Sequence, residues 1–346
     1  MKTILKFTLT LTFAFLISST GFAQYANTKV RSKHQAYTDS LKQVEYNHTF
    51  PIWGQGAYKK GFDIPYPAGG MLNYIWMKQS LILENMQLGF DGTNGDIPLT
   101  NVDDLIKFGQ NTNISQSYNV RPDLWILPFL NVYGILGYGK SHTEVNLTAP
   151  IELKSAVDQN IKTAGIGFLL AGGLGPVWIT TDFNWTWNKP DLLEDPVMVN
   201  VVGIRMGHAF VFKQKPQSNI SLWIGAQGIN MSAQTVGAIA LKDALPPEVW
   251  DKKDQFVEDY YAWYEEQPPA LQDKADQVLT PIIESIDNAI GEGVVQYAMN
   301  KKTKEKWNGV VGMQYQLSKR WQFRTEGGVI GDRKSFLFSV NYRFLL

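Results

Sequence analysis

The chain has 346 residues, with 32 Lys and Arg against 32 Asp and Glu, no cysteine, 30 glycines and 13% aromatic residues. Zero formal charge leaves no electrostatic footprint for nucleic acid. The absence of cysteine excludes disulfides and thiolate metal sites. A mean hydropathy of −0.18 excludes a bundle of membrane helices. The length fits one large barrel or two soluble domains, and the wealth of rings and glycines favours the barrel.

Taken in chain order, residues 1–23 read as a secretory signal peptide. Lys2 and Lys6 supply the basic start, Ile4 to Ile17 the apolar core, and Gly21-Phe22-Ala23 the small residues before a cut at Gln24. A spanning helix needs about 20 apolar residues, and Thr8, Thr10 and Thr12 interrupt this shorter run. Residues 24–67 form a polar arm with mild helical character from Tyr37 to Tyr46, broken by Pro51, Gly54, Gly56, Pro65 and Pro67. Two placements stay open for it, a plug in the lumen or a layer on the periplasmic rim.

From residue 68 onward, alternation with period two predicts strands. They cover Met71 to Gly89, Asn111 to Val120, Leu124 to Val145, Asn160 to Gly173, Val177 to Trp187, Val197 to Phe212 and Asn219 to Met231. Three more follow in the last forty residues, giving about ten (10–12) antiparallel strands. Arg121-Pro122-Asp123 reads as a tight turn. Short connections alternate with long ones at Phe90 to Gln110, Asn146 to Gln159, Asn188 to Pro196 and Ser232 to Lys306. Outer-membrane barrels have this asymmetry, with short periplasmic turns and longer outer loops. The fold expectation is therefore an all-β, antiparallel transmembrane barrel over 68–346, interrupted by a helical insertion at 240–303.

That insertion opens with Pro246-Pro247-Glu248 and carries an aromatic helix containing Trp250, Phe256, Tyr260 and Tyr264. A second helix repeats Val278, Ile282 and Ile286 at helical spacing. Between Asp243 and Asn300 there are thirteen Asp and Glu against three Lys, a net charge of −10. Desolvating so many carboxylates in a narrow lumen would cost far more than apolar burial returns. The helix pair is expected to pack on itself as a lid over the outer mouth, its acidic face in water.

In the terminal strands, Trp307, Val311, Met313 and Tyr315 alternate with Asn308, Gln314 and Gln316. Trp321 and Phe323 alternate with Gln322, Arg324 and Glu326, and Phe338, Val340, Tyr342 and Phe344 with Ser339, Asn341 and Arg343. This aromatic-rich ending resembles the terminal strand of Gram-negative outer-membrane proteins, with Leu346 where that family usually has Phe. The run Trp307-Asn308, Tyr315 to Leu317, Trp321 to Arg324 and Asn341 to Phe344 is similar to uncharacterised Bacteroidetes-type outer-membrane barrels. The resemblance covers about forty residues and carries no known activity. It implies an outer-membrane location, with lipid and lipopolysaccharide as surroundings and the barrel-assembly machinery as a partner in biogenesis.

Asp182, Arg205, Arg324, Glu326 and Arg343 are the candidates for polar residues facing the lumen, Arg205 the weakest because its same-face neighbours are Val, Gly and Ala. No cofactor or metal site is expected, since the acidic residues lack Ca-loop spacing. Ser141, His142 and Glu144 form the one cluster of hydrolase type, but in a strand Ser141 points away from the other two. An enzyme is not expected. The sequence favours a narrow or gated transport barrel for small solutes or hydrophobic molecules, with a helical lid. The alternative is a surface interaction or adhesion protein anchored by the barrel, and a lipid-modifying enzyme is the remotest reading.

Overall fold

The computed structural model describes residues 36–92, 95–174, 177–193, 195–212, 214–231, 234–288 and 293–346, so the signal-peptide reading lies outside the described residues. The strands, in chain order, are β1 (Ala68–Gly92), β2 (Gly95–Asn101), β3 (Lys107–Phe108), β4 (Asn111–Leu127), β5 (Leu130–Ala149), β6 (Leu153–Leu174) and β7 (Val177–Pro190). They continue with β8 (Val197–Phe212), β9 (Lys215–Met231), β10 (Gln234–Ala240), β11 (Val294–Thr303), β12 (Trp307–Gln316), β13 (Trp321–Ile330) and β14 (Lys334–Phe344). The first half of β1 is paired along both edges, with β14 from Ala68↔Phe344 to Lys78↔Lys334 and with β4 from Ala68↔Leu124 to Leu81↔Asn111. The antiparallel chain of pairs from β4 through β9, β12, β13 and β14 therefore closes a ten-strand barrel. Closure leaves no free edge within the ring.

Alternation sorts the side chains of that ring. Leu72, Tyr118, Leu136, Ile166 and Ile224, on five different strands, are 54–63% exposed on the outside. Their neighbours by one residue, among them Asn73, Asn119 and Trp223, line the interior. An apolar outside and a polar inside invert the arrangement of a water-soluble barrel.

Two readings of connections need correction. Arg121-Pro122-Asp123 is not a turn: β4 runs on to Leu127 and turns at Pro128 and Phe129. Proline lacks the N–H that a ladder needs. The β4–β5 ladder passes over this point, pairing Val120 with Leu136 and then Asp123 with Tyr133. Asp123 is thereby moved from a solvent turn into the barrel, where it is buried. Nor is 146–159 a loop, because β5 and β6 stay paired out to Leu147↔Leu153. Polar residues occur there on both faces, the pattern of strands that project beyond any apolar surroundings, and this concealed them.

At the end opposite the termini, β1 outgrows the barrel and changes partners. Above residue 80 it pairs with β11, from Leu81↔Thr303 to Asp91↔Val294, and beyond Gln87 with β2 on its other edge. β10 extends the sheet beyond β11. An irregularity between Glu84 and Gln87, with Asn85 at φ 54°, marks the change. Asn is among the few side chains that tolerate this left-handed backbone, and the extra residue reverses which side chains face inward. Below it Leu81 lines the interior; above it Met86, Leu88 and Phe90 join a buried cluster.

The helices of the insertion complete that cluster. After α1 (36–42) and α2 (Gly54–Lys59) near the N-terminus come α3 (Leu241–Ala244), α4 (Pro247–Asp251), α5 (Lys253–Glu265) and α6 (Pro269–Asp287). Ala275, Val278, Leu279, Ile282, Ile283 and Ile286 form one stripe of α6 and pack with Val257 and Tyr260 of α5 and with the β1 extension. Burial of each such aliphatic side chain contributes about 1.5–3 kcal/mol. The helices thus pack on each other and also on a sheet, a partner that the reading of an isolated helix pair lacked. On β11, Lys301 lines the interior, and Met299, Tyr297 and Val295 follow at steps of two on the same inward face. Leu147 and Ile151, at the β5–β6 tip, touch the same cluster. The helical hairpin therefore sits above the lumen as a cap.

The described part of the N-terminal arm lies at the other end. Ile52 donates its N–H to Ile126 at the β4–β5 turn, and Asp63 pairs with Lys319 at the β12–β13 turn at 2.7 Å. His48 Nδ1 lies 3.1 Å from the Leu346 carbonyl. The arm has its own small core of Leu41, Ala57, Tyr58 and Ile64. Its Asp63, Ile64 and Pro65 line the lower end of the interior, so the arm lies along the rim of the terminal end.

Candidate functional site

Because the ring has ten strands, side chains do not fill it, and two chambers remain. The lower, towards the termini, measures about 290 Å³, and the upper, beneath the cap, about 430 Å³. Five residues line both chambers: Met71, Leu169 and three arginines, Arg121, Arg205 and Arg324. They form a septum across the barrel.

Arg205 of β8 holds the septum together. Its Nε and Nη2 donate to the two carboxylate oxygens of Glu326 on β13 at 2.6 and 2.8 Å, while Nη1 donates to Asp182 of β7. A two-pronged guanidinium–carboxylate pair fixes geometry as well as charge. Glu326 also accepts from Arg324 Nη2 at 2.9 Å and from the Trp223 indole N–H at 2.8 Å. Asp182 accepts from Asn184, which in turn accepts from the Tyr133 hydroxyl at 2.7 Å. Between β8 and β13 stand β9 and β12, and glycine makes the crossing possible. A Cβ on Gly203 would collide with both Arg205 and Asp182, and one on Gly312 would lie inside the Trp223 indole.

A second pair lies lower. Arg343 Nη2 donates to Asp123 at 2.8 Å and its Nε to the Tyr66 carbonyl at 2.8 Å, while Asn131 donates to the same carboxylate at 2.7 Å. This pair ties the last strand to the arm.

Of the candidates read from sequence, Asp182, Arg205, Arg324 and Glu326 meet in the septum and Arg343 lies apart with Asp123. Arg205, the weakest of them in sequence, is the centre, because the small neighbours that argued against it provide its room. Asp123, Arg121 and Trp223 were missed. Arg121 and Asp123 were both hidden in the apparent turn, although both continue the inward run Ser117, Asn119 along β4. Among the cap residues, Tyr260 is fully buried and its hydroxyl lies 2.9 Å from Thr280 Oγ1. Tyr264 donates to Asp276 at 2.9 Å, and Trp250 and Phe256 pack against the cluster half-buried.

Besides the exposed Lys140, and Arg333, which is buried on Gln79 and the Glu305 carbonyl, two cations of this interior have no carboxylate partner among the described residues. Arg121 stacks on Tyr133, its Cζ 3.8 Å from the ring centroid, and its buried Nε has no protein acceptor. Lys301, on β11 in the cap, lines the roof of the upper chamber, and burial pushes its ammonium below the usual lysine range.

Ser141, His142 and Glu144 do not assemble. Ser141 faces inward and accepts from Asn113 at 2.7 Å, whereas His142 faces outward between Asp158 at 2.8 Å and Glu144 at 3.5 Å. The hydrogen bond that the imidazolium donates to Asp158 holds His142 above the ordinary histidine value, 6.5, with Glu144 adding to it. The sign follows: this contact helps the folded state fully below 6.5, and the help is lost as pH rises through the folded-state value. Imidazole NMR is expected to show His142 titrating above an ordinary histidine, and Asp158→Asn to bring it down. An unchanged titration in that variant would refute the pairing.

No protein-family model matches the chain, and no curated protein matches it. Among solved structures, the β-domain of the Bordetella autotransporter BrkA is 8% identical, with 80% of this chain and 100% of that one covered and a TM-score of 0.36. The translocator domain of the autotransporter NalP from Neisseria meningitidis is 9% identical, covering 84% and 92%, with a TM-score of 0.35. The toluene transporter TbuX from Ralstonia pickettii is 7% identical, covering 81% and 90%, with a TM-score of 0.28. The fold assignment rests on the strand pairing itself.

Proposed function

We propose that this chain is an outer-membrane barrel that passes small solutes through a lumen gated by its cap. The observation that carries the proposal is a ten-strand ring whose outside is apolar and whose inside holds chambers of about 290 and 430 Å³ beneath a folded lid. A continuous apolar band around a barrel suits lipid and would be an aggregation liability in water. Trp307, at 53% exposure, lies at the far end of the band, and Trp321 and Tyr342 lie at the terminal end, 4.9 Å apart. These are girdle positions. With the short turns on the periplasmic side, the arm lies on that side and the cap faces outward. Acyl-chain contact would be on Leu136, Ile166 and their neighbours, and no residue is assigned a catalytic role.

The septum gives such a barrel selectivity, because fixed guanidiniums leave no wide aqueous path. Replacing 234–303 with a short Gly/Ser loop removes β10, the helices and β11 together. In planar bilayers that variant is expected to conduct ions well above the intact chain. If neither version passes ions or small solutes, transport is refuted, and the barrel serves as the anchor of a surface domain.

A further inference from the structure

We propose that the upper chamber is a binding site for an amphipathic monoanion, its charged head on Arg121 at the septum and its apolar body beneath the cap. The class follows from charge pairing and chamber chemistry. Arg205 is matched by Asp182 and Glu326, Arg324 by Glu326, Arg343 by Asp123 and Lys319 by Asp63. Of the cations that line the upper chamber, Arg121 and Lys301 are left over at its floor and roof, and Lys140, which is exposed, is also without an ion pair.

A cation kept in a low-dielectric interior without a counter-charge is costly, and a bound anion supplies what the fold omits. Arg121 is held for that purpose by its stacking on Tyr133, and the Tyr133 hydroxyl is fixed in turn by Asn184. Arg324 lines the same chamber but is committed to Glu326 through its Nη2, and its Nε is sealed from the space, so Arg121 is the septum charge left for a ligand. An unmatched guanidinium lining this space suits a carboxylate or another small oxyanion better than a neutral head.

The walls above the arginines specify the remainder of the ligand. Ile75, Ile135, Val199 and Ile229, from four strands, face this chamber. A volume of about 430 Å³ lies within the range of small-molecule sites. A bare inorganic anion would leave those walls uncovered, and a neutral hydrocarbon would leave Arg121 unmatched. The inference deepens the transport reading by naming the solute class, yet binding can be measured without transport.

The test is equilibrium dialysis of the full chain in amphipol against decanoate, decanol and decylammonium. Decanoate is expected to bind about one per barrel and at least about tenfold more tightly than the other two, as a charge-assisted hydrogen bond implies. Arg121→Gln, checked for folding by its heat-modifiable gel migration, is expected to abolish that preference. Decanol or decylammonium binding as tightly as decanoate, an unchanged preference in folded Arg121→Gln, or no binding at all would overturn the proposal. The comparison of the three probes on the unaltered chain decides the matter if the variant does not fold. Decanoate preference in a chain whose cap-less form conducts nothing would leave the site standing and remove transport. Conduction without preference would do the reverse.

Discussion

Arg205→Met is expected to lower the unfolding free energy by about 3 kcal/mol, near the lower end for breaking a buried ion pair. The loss comes from what stays behind. Asp182 and Glu326 are 7% and 6% exposed, and removing Arg205 leaves two carboxylates facing each other's field in the septum. Glu326 keeps Arg324 and Trp223, and Asp182 keeps Asn184, which is why the upper end of the range is not reached. The methylenes of methionine replace most of the arginine stem, so packing loss is small. The triple variant Arg205→Met, Asp182→Asn, Glu326→Gln is expected to recover most of the stability, because no buried charge is then orphaned. Urea titration of the folded-to-unfolded gel shift in lipid vesicles measures both. Equal stability of the single variant and the unaltered chain would mean that the septum contributes nothing to holding the barrel.

Ile286→Asp is expected to have an effect at least as large, confined to the cap. Ile286 is 1% exposed within the cluster that joins α6 to the β1 extension. Truncating such a residue to alanine costs about 2–5 kcal/mol, and a carboxylate placed there must also be desolvated without a partner. The helices are expected to leave the sheet and become open to protease between Lys253 and Asp287, while the barrel retains its heat-modifiable migration. Ile286→Val, which removes one methylene, is expected to cost only about 1 kcal/mol and to keep the cap closed. Loss of the barrel together with the cap in Ile286→Asp would show that the two are one cooperative unit.

How far the sequence disclosed this architecture depends on which physical signal each part required. The barrel was legible because every strand must alternate between an apolar outside and a polar interior, and Phe338-Ser339-Val340-Asn341-Tyr342-Arg343 states that rule residue by residue. The helical hairpin was legible from Val278, Ile282 and Ile286. Its sheet was not. The upper part of β1 was read as strand to Gly89, but its change of face and partner lies at the bulge at Asn85, where alternation changes phase, and β2 contains Pro98, a residue that argues against a strand. β11 is a ten-residue strand that follows helical sequence within the insertion and has no turn signal to announce its partner. The septum was half legible. Asp182, Arg324 and Glu326 stand out as charges on lumen-facing positions, but the reach of Arg205 across β9 and β12 depends on Gly203 and Gly312, residues whose contribution is the absence of a side chain.

If the cap is a gate, tethering it must close the barrel, and a chain without native cysteine lets one tether be placed alone. Ser155 Oγ of β6 donates to the Ala244 carbonyl of α3 at 3.4 Å, so the cap touches the barrel rim there and a cysteine pair at 155 and 244 is the tether to try. Planar-bilayer recordings of Ser155→Cys/Ala244→Cys compare the oxidised and reduced protein, with disulfide formation read by non-reducing gel. Discrete openings are expected under reducing conditions, with their loss on oxidation and their return when reductant is added. Openings of equal size and frequency in a fully cross-linked protein would contradict it, because solutes would then be passing a lid that cannot move.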